Sequence, residues 1–182
     1  MKIKVGVSNR HIHLCKDDVD MLFGKNYQFE KRNDLNQPGE YATTDVIKVS
    51  TDKYEFPYVR VLAPCRNYTQ VEISKDDAIL LGINPPVRDS GDLDDSESVW
   101  LEGPKGKIFK KNCCIIANRH IHCNKLDNIG HTNGDIVSVL ANGKIMDNVH
   151  IKENDNYVLE LHIDKCDSLE YNLNTGDYID LE

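Results

Sequence analysis

Apolar and polar residues alternate in many short runs along this chain. Gln70, Glu72 and Ser74 interleave with Val71 and Ile73, and Glu160 and His162 interleave with Leu159, Leu161 and Ile163. Two runs open on the same pair, Gly134-Asp135-Ile136-Val137-Ser138-Val139 and Gly176-Asp177-Tyr178-Ile179-Asp180-Leu181. A period of two in β-branched and aromatic residues predicts strands. Short helical signals follow several of them: residues 17–23, 75–81, 124–129 and 165–171. Ser74 and Asp164 stand where N-caps belong, and Gly24, Gly82 and Gly130 stand where a left-handed C-cap belongs. Helices of this length cannot serve as the crossovers of a doubly wound α/β fold. The pattern predicts a mainly β protein of small β-barrels capped by short helices. Two stretches fall outside it. Residues 24–44, rich in Asn, Gln, Gly and Pro, read as a surface excursion. Residues 84–112 read as an active-site loop, and either stretch reads equally as a solvated connector.

The strongest internal signal is a repeat. Asn9-Arg10-His11-Ile12-His13 recurs as Asn118-Arg119-His120-Ile121-His122. Such a coincidence has odds of roughly one in two hundred at uniform composition, so the two segments are treated as copies of one unit. Each follows an apolar stretch, residues 3–7 and 114–117, and precedes a short helical signal.

His-x-His on a strand puts both imidazoles on one face. A catalytic zinc site takes three protein ligands and keeps one position open. Two such pairs therefore offer two half-sites, and third ligands are needed for each. Glu72 is one candidate and His162 is the best unpaired one; His131 and His150 read as surface histidines. Arg10 and Arg119 point away from their His neighbours on a straight strand and suit a structural role. Arg60, Arg66 and Arg88 offer guanidinium forks that match phosphate oxygens.

Composition narrows the classes. A formal net charge of −8 argues against nucleic-acid binding. No apolar run reaches the roughly 20 residues of a membrane span, and the first residues lack the apolar core of a signal peptide, so a cytoplasmic protein is expected. The six cysteines, Cys15, Cys65, Cys113, Cys114, Cys123 and Cys166, include no C-x-x-C pair, which disfavours a zinc ribbon. They read mostly as small core residues. Phosphate-binding glycine loops, dinucleotide fingerprints and hydrolase elbows are absent from the sequence.

Six segments resemble the PduL-type phosphate propanoyltransferases: Ser8-Asn9-Arg10-His11-Ile12-His13-Leu14, Gln37-Pro38-Gly39-Glu40-Tyr41-Ala42, Thr69-Gln70-Val71-Glu72-Ile73-Ser74, Pro85-Pro86-Val87-Arg88-Asp89-Ser90-Gly91-Asp92, Arg119-His120-Ile121-His122 and Leu159-Glu160-Leu161-His162-Ile163-Asp164. They span almost the whole chain. The resemblance implies two β-barrels capped by short helices, with the active site in the cleft between them. Residues 1–9 plus 118–182 would form one barrel, and 10–117 the other, with insertions at about 24–44 and 84–112.

It also implies two zinc ions, one held by His11, His13 and Glu72 and the other by His120, His122 and His162. Arg66 matches the arginine that holds phosphate, and Ser8 and Ser90 match polar residues lining the site. Lys152 stands where the family usually has an arginine; it keeps the charge toward the anionic cofactor but loses the fork. Ala63 replaces a usual glycine. The implied reaction is reversible transfer of a propanoyl or acetyl group between coenzyme A and inorganic phosphate, by direct transfer at the zinc pair. A homodimer acting on small molecules is implied, with no nucleic-acid or membrane partner. The match begins almost at Met1, so the expectation is a cytoplasmic member without a microcompartment-targeting extension. Two other classes remain open: a dinuclear zinc hydrolase, and a non-catalytic zinc or CoA-binding module.

Overall fold

The computed structural model describes residues 1–181. The chain is mainly β, as the alternation predicted, and its strands close into two barrels, as the resemblance implied, each of six strands. It divides into two compact units. One comprises Met1–Asn9, Asn36–Pro38 and the chain from Asn118 onward, and the other comprises Arg10–Leu35 and Gly39–Ala117.

In chain order, β1 (Lys2–Ser8) belongs to the first unit. The second unit then runs through β2 (His11–Cys15), α1 (Lys16–Phe23), β3 (Lys31–Asp34), β4 (Tyr41–Ser50), β5 (Glu55–Arg66), β6 (Gln70–Glu72), α2 (Lys75–Leu81), β7 (Val87–Arg88), β8 (Glu97–Glu102) and β9 (Lys107–Ala117). The chain returns to the first unit through β10 (His120–Cys123), a 3-10 turn at Lys125–Asp127, β11 (Ile136–Ala141), β12 (Lys144–Glu153), β13 (Glu160–Asp164), α3 (Lys165–Tyr171) and β14 (Tyr178–Leu181).

The first barrel closes in the order β1-β13-β10-β12-β11-β14. The second runs β4-β5-β2-β6-β9-β8, with β8 pairing back to β4; β3 and β7 are added at β4 and β9. The two rings have the same plan. β10 lies between parallel β12 and antiparallel β13, as β2 lies between parallel β5 and antiparallel β6. β1 pairs parallel to β13 as β9 pairs parallel to β6. Each barrel has its own apolar filling. Ile12, Leu14, Val61, Val71 and Leu101 are among the core residues of one, and Ile3, Val5, Ile121, Met146 and Leu161 of the other.

Helix ends follow local chemistry. Ser74 and Asp77 form a capping box on α2, and Gly82 closes it in the left-handed region. Asp164 caps α3, which closes on left-handed Asn172. Residues 124–129 form only the 3-10 turn, which left-handed Asn128 closes two residues before Gly130, itself at positive φ. Asparagine tolerates that conformation through local side-chain bonding, so glycine was too narrow a signal. The excursion at 24–44 is not wholly superficial: Gln37 is buried and packs with the first unit.

Candidate metal centre

In the second unit the sheet builds one cluster. Ile12 on β2 is fully buried, so strand alternation turns His11 and His13 to the opposite face. Antiparallel β6 sets Glu72 beside His11 and Gln70 beside His13. Glu72 Oε2 lies 3.2 Å from His11 Nε2, and its Oε1 lies 3.8 Å from His13 Nε2. One donor atom from each of His11, His13 and Glu72 falls within 4.8 Å of the others. Burial first, then the positive fields of His11 and Arg66, hold the His13 imidazole well below its ordinary pKa, with Glu72 opposing them. A neutral imidazole carries the lone pair a metal needs.

Gln70 organises this cluster. It is fully buried, and its Nε2 donates to Glu72 Oε1 at 2.6 Å and to Ser90 Oγ at 2.8 Å. Its Oε1 accepts from the Gly91 amide at 2.8 Å. One amide thereby orients a candidate ligand and draws the 89–92 turn against it. Ser90 Oγ in turn donates to Glu72 Oε1 at 3.3 Å. Arg66 Nη2 donates to Glu40 Oε1 at 3.0 Å, and its Nη1 lies 3.4 Å from both Ser90 Oγ and Tyr68 Oη. Arg60 is occupied elsewhere, donating to the Thr43 and Thr44 carbonyls, and Arg88 pairs with Asp92. Of the three arginines put forward for an anion, only Arg66 is drawn into the cluster.

The first unit repeats the arrangement. Ile121 on β10 is buried, and His120 and His122 share the other face. Antiparallel β13 brings His162 beside His120 and Glu160 beside His122. The three rings lie 4.6, 5.1 and 4.6 Å apart between centroids, and one donor atom from each falls within 4.8 Å of the others. His120 Nδ1 lies 2.7 Å from the Asn118 carbonyl. Burial disfavours charge on Glu160, but the hydrogen bond and charge of His162 hold its carboxyl below the ordinary range. Lys152 neighbours His122 across parallel β12, on the same face. His150 neighbours His120 there and is half-buried, not the bare surface residue its sequence setting suggested. Tyr157 packs its ring 4.3 Å from that of His122. Ser8 lies on β1 beside Asp164, and its hydroxyl faces the Ile163 carbonyl at 3.4 Å.

The arginines of the two pentapeptides have structural partners, as expected. Arg10 donates to Asp77 at 2.7 Å, and Arg119 grips Asp167 through two bonds of 2.9 and 2.6 Å. Each aspartate is the residue three past the N-cap of α2 or α3. Sequence reasoning missed Gln70, Glu160, Gln37, Tyr157 and His150. The first two sat on runs whose alternation was noted, but a period of two does not reveal whether the polar face is wet.

Both donor sets suit zinc, which accepts imidazole nitrogen and carboxylate oxygen in groups of three with an open position. Buried Gln70 behind one set and buried Glu160 behind the other provide the outer bonds that orient such ligands. Fold and site thus define a two-barrel protein with a three-residue donor set that could hold a metal ion on each barrel. A family model of phosphate propanoyltransferases matches residues 4–173, and the chain belongs to that acyltransferase family. A phosphate propanoyltransferase of Thermotoga maritima is 42% identical over 183 residues, covering 97% of this chain and 87% of its own length. One of Priestia megaterium is 41% identical, covering 96% and 83%. One of Salmonella arizonae is 43% identical, covering 89% and 80%.

Proposed function

We propose that this enzyme transfers a propanoyl or acetyl group reversibly between coenzyme A and inorganic phosphate, with a zinc ion held by each triad. The observation that carries this reading is Arg66, an anion-binding fork within reach of Ser90 beside the His11, His13 and Glu72 cluster. Glu40 takes one donor of the guanidinium and fixes its plane. The remaining edge is then presented to phosphate oxygens in fixed geometry, which supplies much of the rate in a positioning mechanism. Ser90 Oγ lines the same edge, with its proton directed to Glu72. Bound zinc would supply Lewis-acid stabilisation of the oxygen charge that develops at the thioester carbonyl. On the first unit, Ser8 and Lys152 are assigned to the substrate side, Lys152 as a point charge toward the phosphates of CoA. Overall, the acyl carbon–sulfur bond breaks, a bond from the acyl carbon to a phosphate oxygen forms, and CoA leaves as the thiolate.

Direct transfer needs no acyl-cysteine. Burial raises the Cys65 and Cys123 thiols, pushes Cys113 up to about 12 and carries Cys114 well above its usual value. Such thiols stay protonated at neutral pH and are poor nucleophiles. Cys65→Ala and Cys123→Ala are therefore expected to keep turnover in an acyl-CoA assay, and loss of activity with zinc still bound would refute direct transfer.

The reading extends to a homodimer in the cytoplasm. No helix among the described residues is long and apolar enough to cross a membrane. The deciding experiment follows CoA release from propanoyl-CoA with and without phosphate, alongside metal content. Phosphate-dependent release that His120→Ala and Arg66→Ala abolish supports the proposal. Release without phosphate would make the protein a thioester hydrolase, and bound zinc without turnover would make it a binding module.

A further inference from the structure

Glu160 is a buried carboxylate, 4% exposed, on the strand that carries His162. Burying a carboxylate is costly unless its oxygens are satisfied. Here Oε2 lies 2.5 Å from His162 Nε2, and after His162 the amide side chains of Asn36 and Gln37 help hold the carboxyl below its ordinary range. Gln37 is itself pinned: its Nε2 donates to the Val158 carbonyl at 2.9 Å and its Oε1 accepts from the Val158 amide at 3.1 Å. The strand beside it makes room. A Cβ added at Gly6 would sit 3.0 Å from both Cδ and Oε1 of Glu160. Glycine at that position lets the carboxylate lie flat against β1. Its partners leave it little freedom to retreat.

The bonds also fix protons. The Asn118 carbonyl can only accept, so His120 carries its hydrogen on Nδ1 and its lone pair on Nε2. An ionised carboxylate likewise only accepts, so His162 carries its hydrogen on Nε2 and its lone pair on Nδ1. The close-set donor group comprises His120, His122 and His162, with Glu160 outside it.

We propose that Glu160 is a positioning residue that locks His162 in its Nε2–H tautomer and makes Nδ1 the atom His162 offers to the metal. Gly6 and Gln37 hold Glu160 in place for this purpose. The inference rests on the reading that this triad holds zinc. It assigns the triad two different donor nitrogens, Nε2 from His120 and Nδ1 from His162. Carboxylate partners of this kind typically change metal affinity about ten- to a hundred-fold when removed.

The test uses the full chain in two measurements. Long-range proton–nitrogen NMR of the 15N-histidine-labelled, metal-free protein reads the tautomer of His162. The Nε2–H form is expected, and the Nδ1–H form would overturn the proposal whatever the metal does. Chelator competition with cobalt(II) or zinc then resolves the binding step that His120→Ala abolishes. Glu160→Leu, an apolar side chain of similar size, should weaken that step about ten- to a hundred-fold and leave the other step unchanged. Glu160→Gln keeps an acceptor and should recover most of the affinity. Gly6→Ala, which crowds the carboxylate without replacing it, should weaken the same step even if Glu160→Leu fails to fold. A His120-dependent step that none of these variants moves would overturn the role of Glu160 alone. A wild-type protein with no His120-dependent step would overturn the zinc reading and this inference together.

Discussion

Arg66 differs from Arg60 and Arg88 only in what surrounds it. Arg60 sits between two valines, whereas Asn67 follows Arg66 and Asp89 follows Arg88; residue type alone gave each the same claim on phosphate. The structure occupies Arg60 with backbone carbonyls and Arg88 with Asp92, and it turns Arg66 toward Ser90. Arg66→Lys keeps the charge and discards the fork, so the apparent KM for phosphate should rise about ten-fold, the worth of roughly one charged hydrogen bond. Initial rates against phosphate measure it, and an unchanged KM would remove Arg66 from the phosphate site. The histidines were legible because alternation fixes a shared face and the pentapeptide occurs twice. Gln70 was not, because its role depends on being fully buried between Glu72 and Gly91. Only the tertiary pairing of β6 with β2 creates that environment.

Each candidate ligand set is steadied by a short helix, and the sequence marked these helices well through Ser74 and Asp164. What it did not mark is how they are tied down. α2 and α3 are held by Arg10 and Arg119 from the repeated pentapeptide, which explains why the arginine recurs with the histidines. α1 is held differently. Its Asp18 is buried, pairs with Lys110 Nζ at 2.6 Å and accepts from Thr69 Oγ1. Thr69 immediately precedes Gln70, so this tether bears on the strand that positions Glu72. Burial works against the Asp18 charge, but the bonds from Lys110 and Thr69 outweigh it and hold the carboxyl below its ordinary 3.8. With the folded value below the unfolded one, the stabilisation is complete above pH 3.8 and is lost as pH falls through the folded value. Asp18→Asn should cost about 2 kcal/mol at pH 7 in urea unfolding. The difference from wild type should shrink steadily below pH 3.8. An equal difference at pH 3 and pH 7 would mean that the cost is one of packing.

At the scale of the whole chain, the duplicated pentapeptide marks where the chain changes units. β1 completes the first barrel and runs through Asn9 and Arg10 into β2 of the second; β9 completes the second and runs through Asn118 and Arg119 into β10 of the first. Each histidine strand is therefore preceded by a strand of the other unit; strand, motif and helix signals alone do not reveal that exchange, which only the family resemblance implied. The histidine pairs and their candidate third ligands nonetheless come together by strand pairing within a single barrel, each with an apolar core of its own. Folding should then precede metal binding, unlike small domains that are unfolded without their ion. A ligand bound only by the native state adds about 2.7 kcal/mol at a hundred times its dissociation constant. For a chain of this size that corresponds to several degrees of Tm per site. Chelator-treated protein should keep its β-sheet circular dichroism, melt several degrees lower, and lose turnover until zinc is restored. Collapse of the circular dichroism on chelation would show instead that the ions hold the barrels together, and that the apolar cores do not suffice.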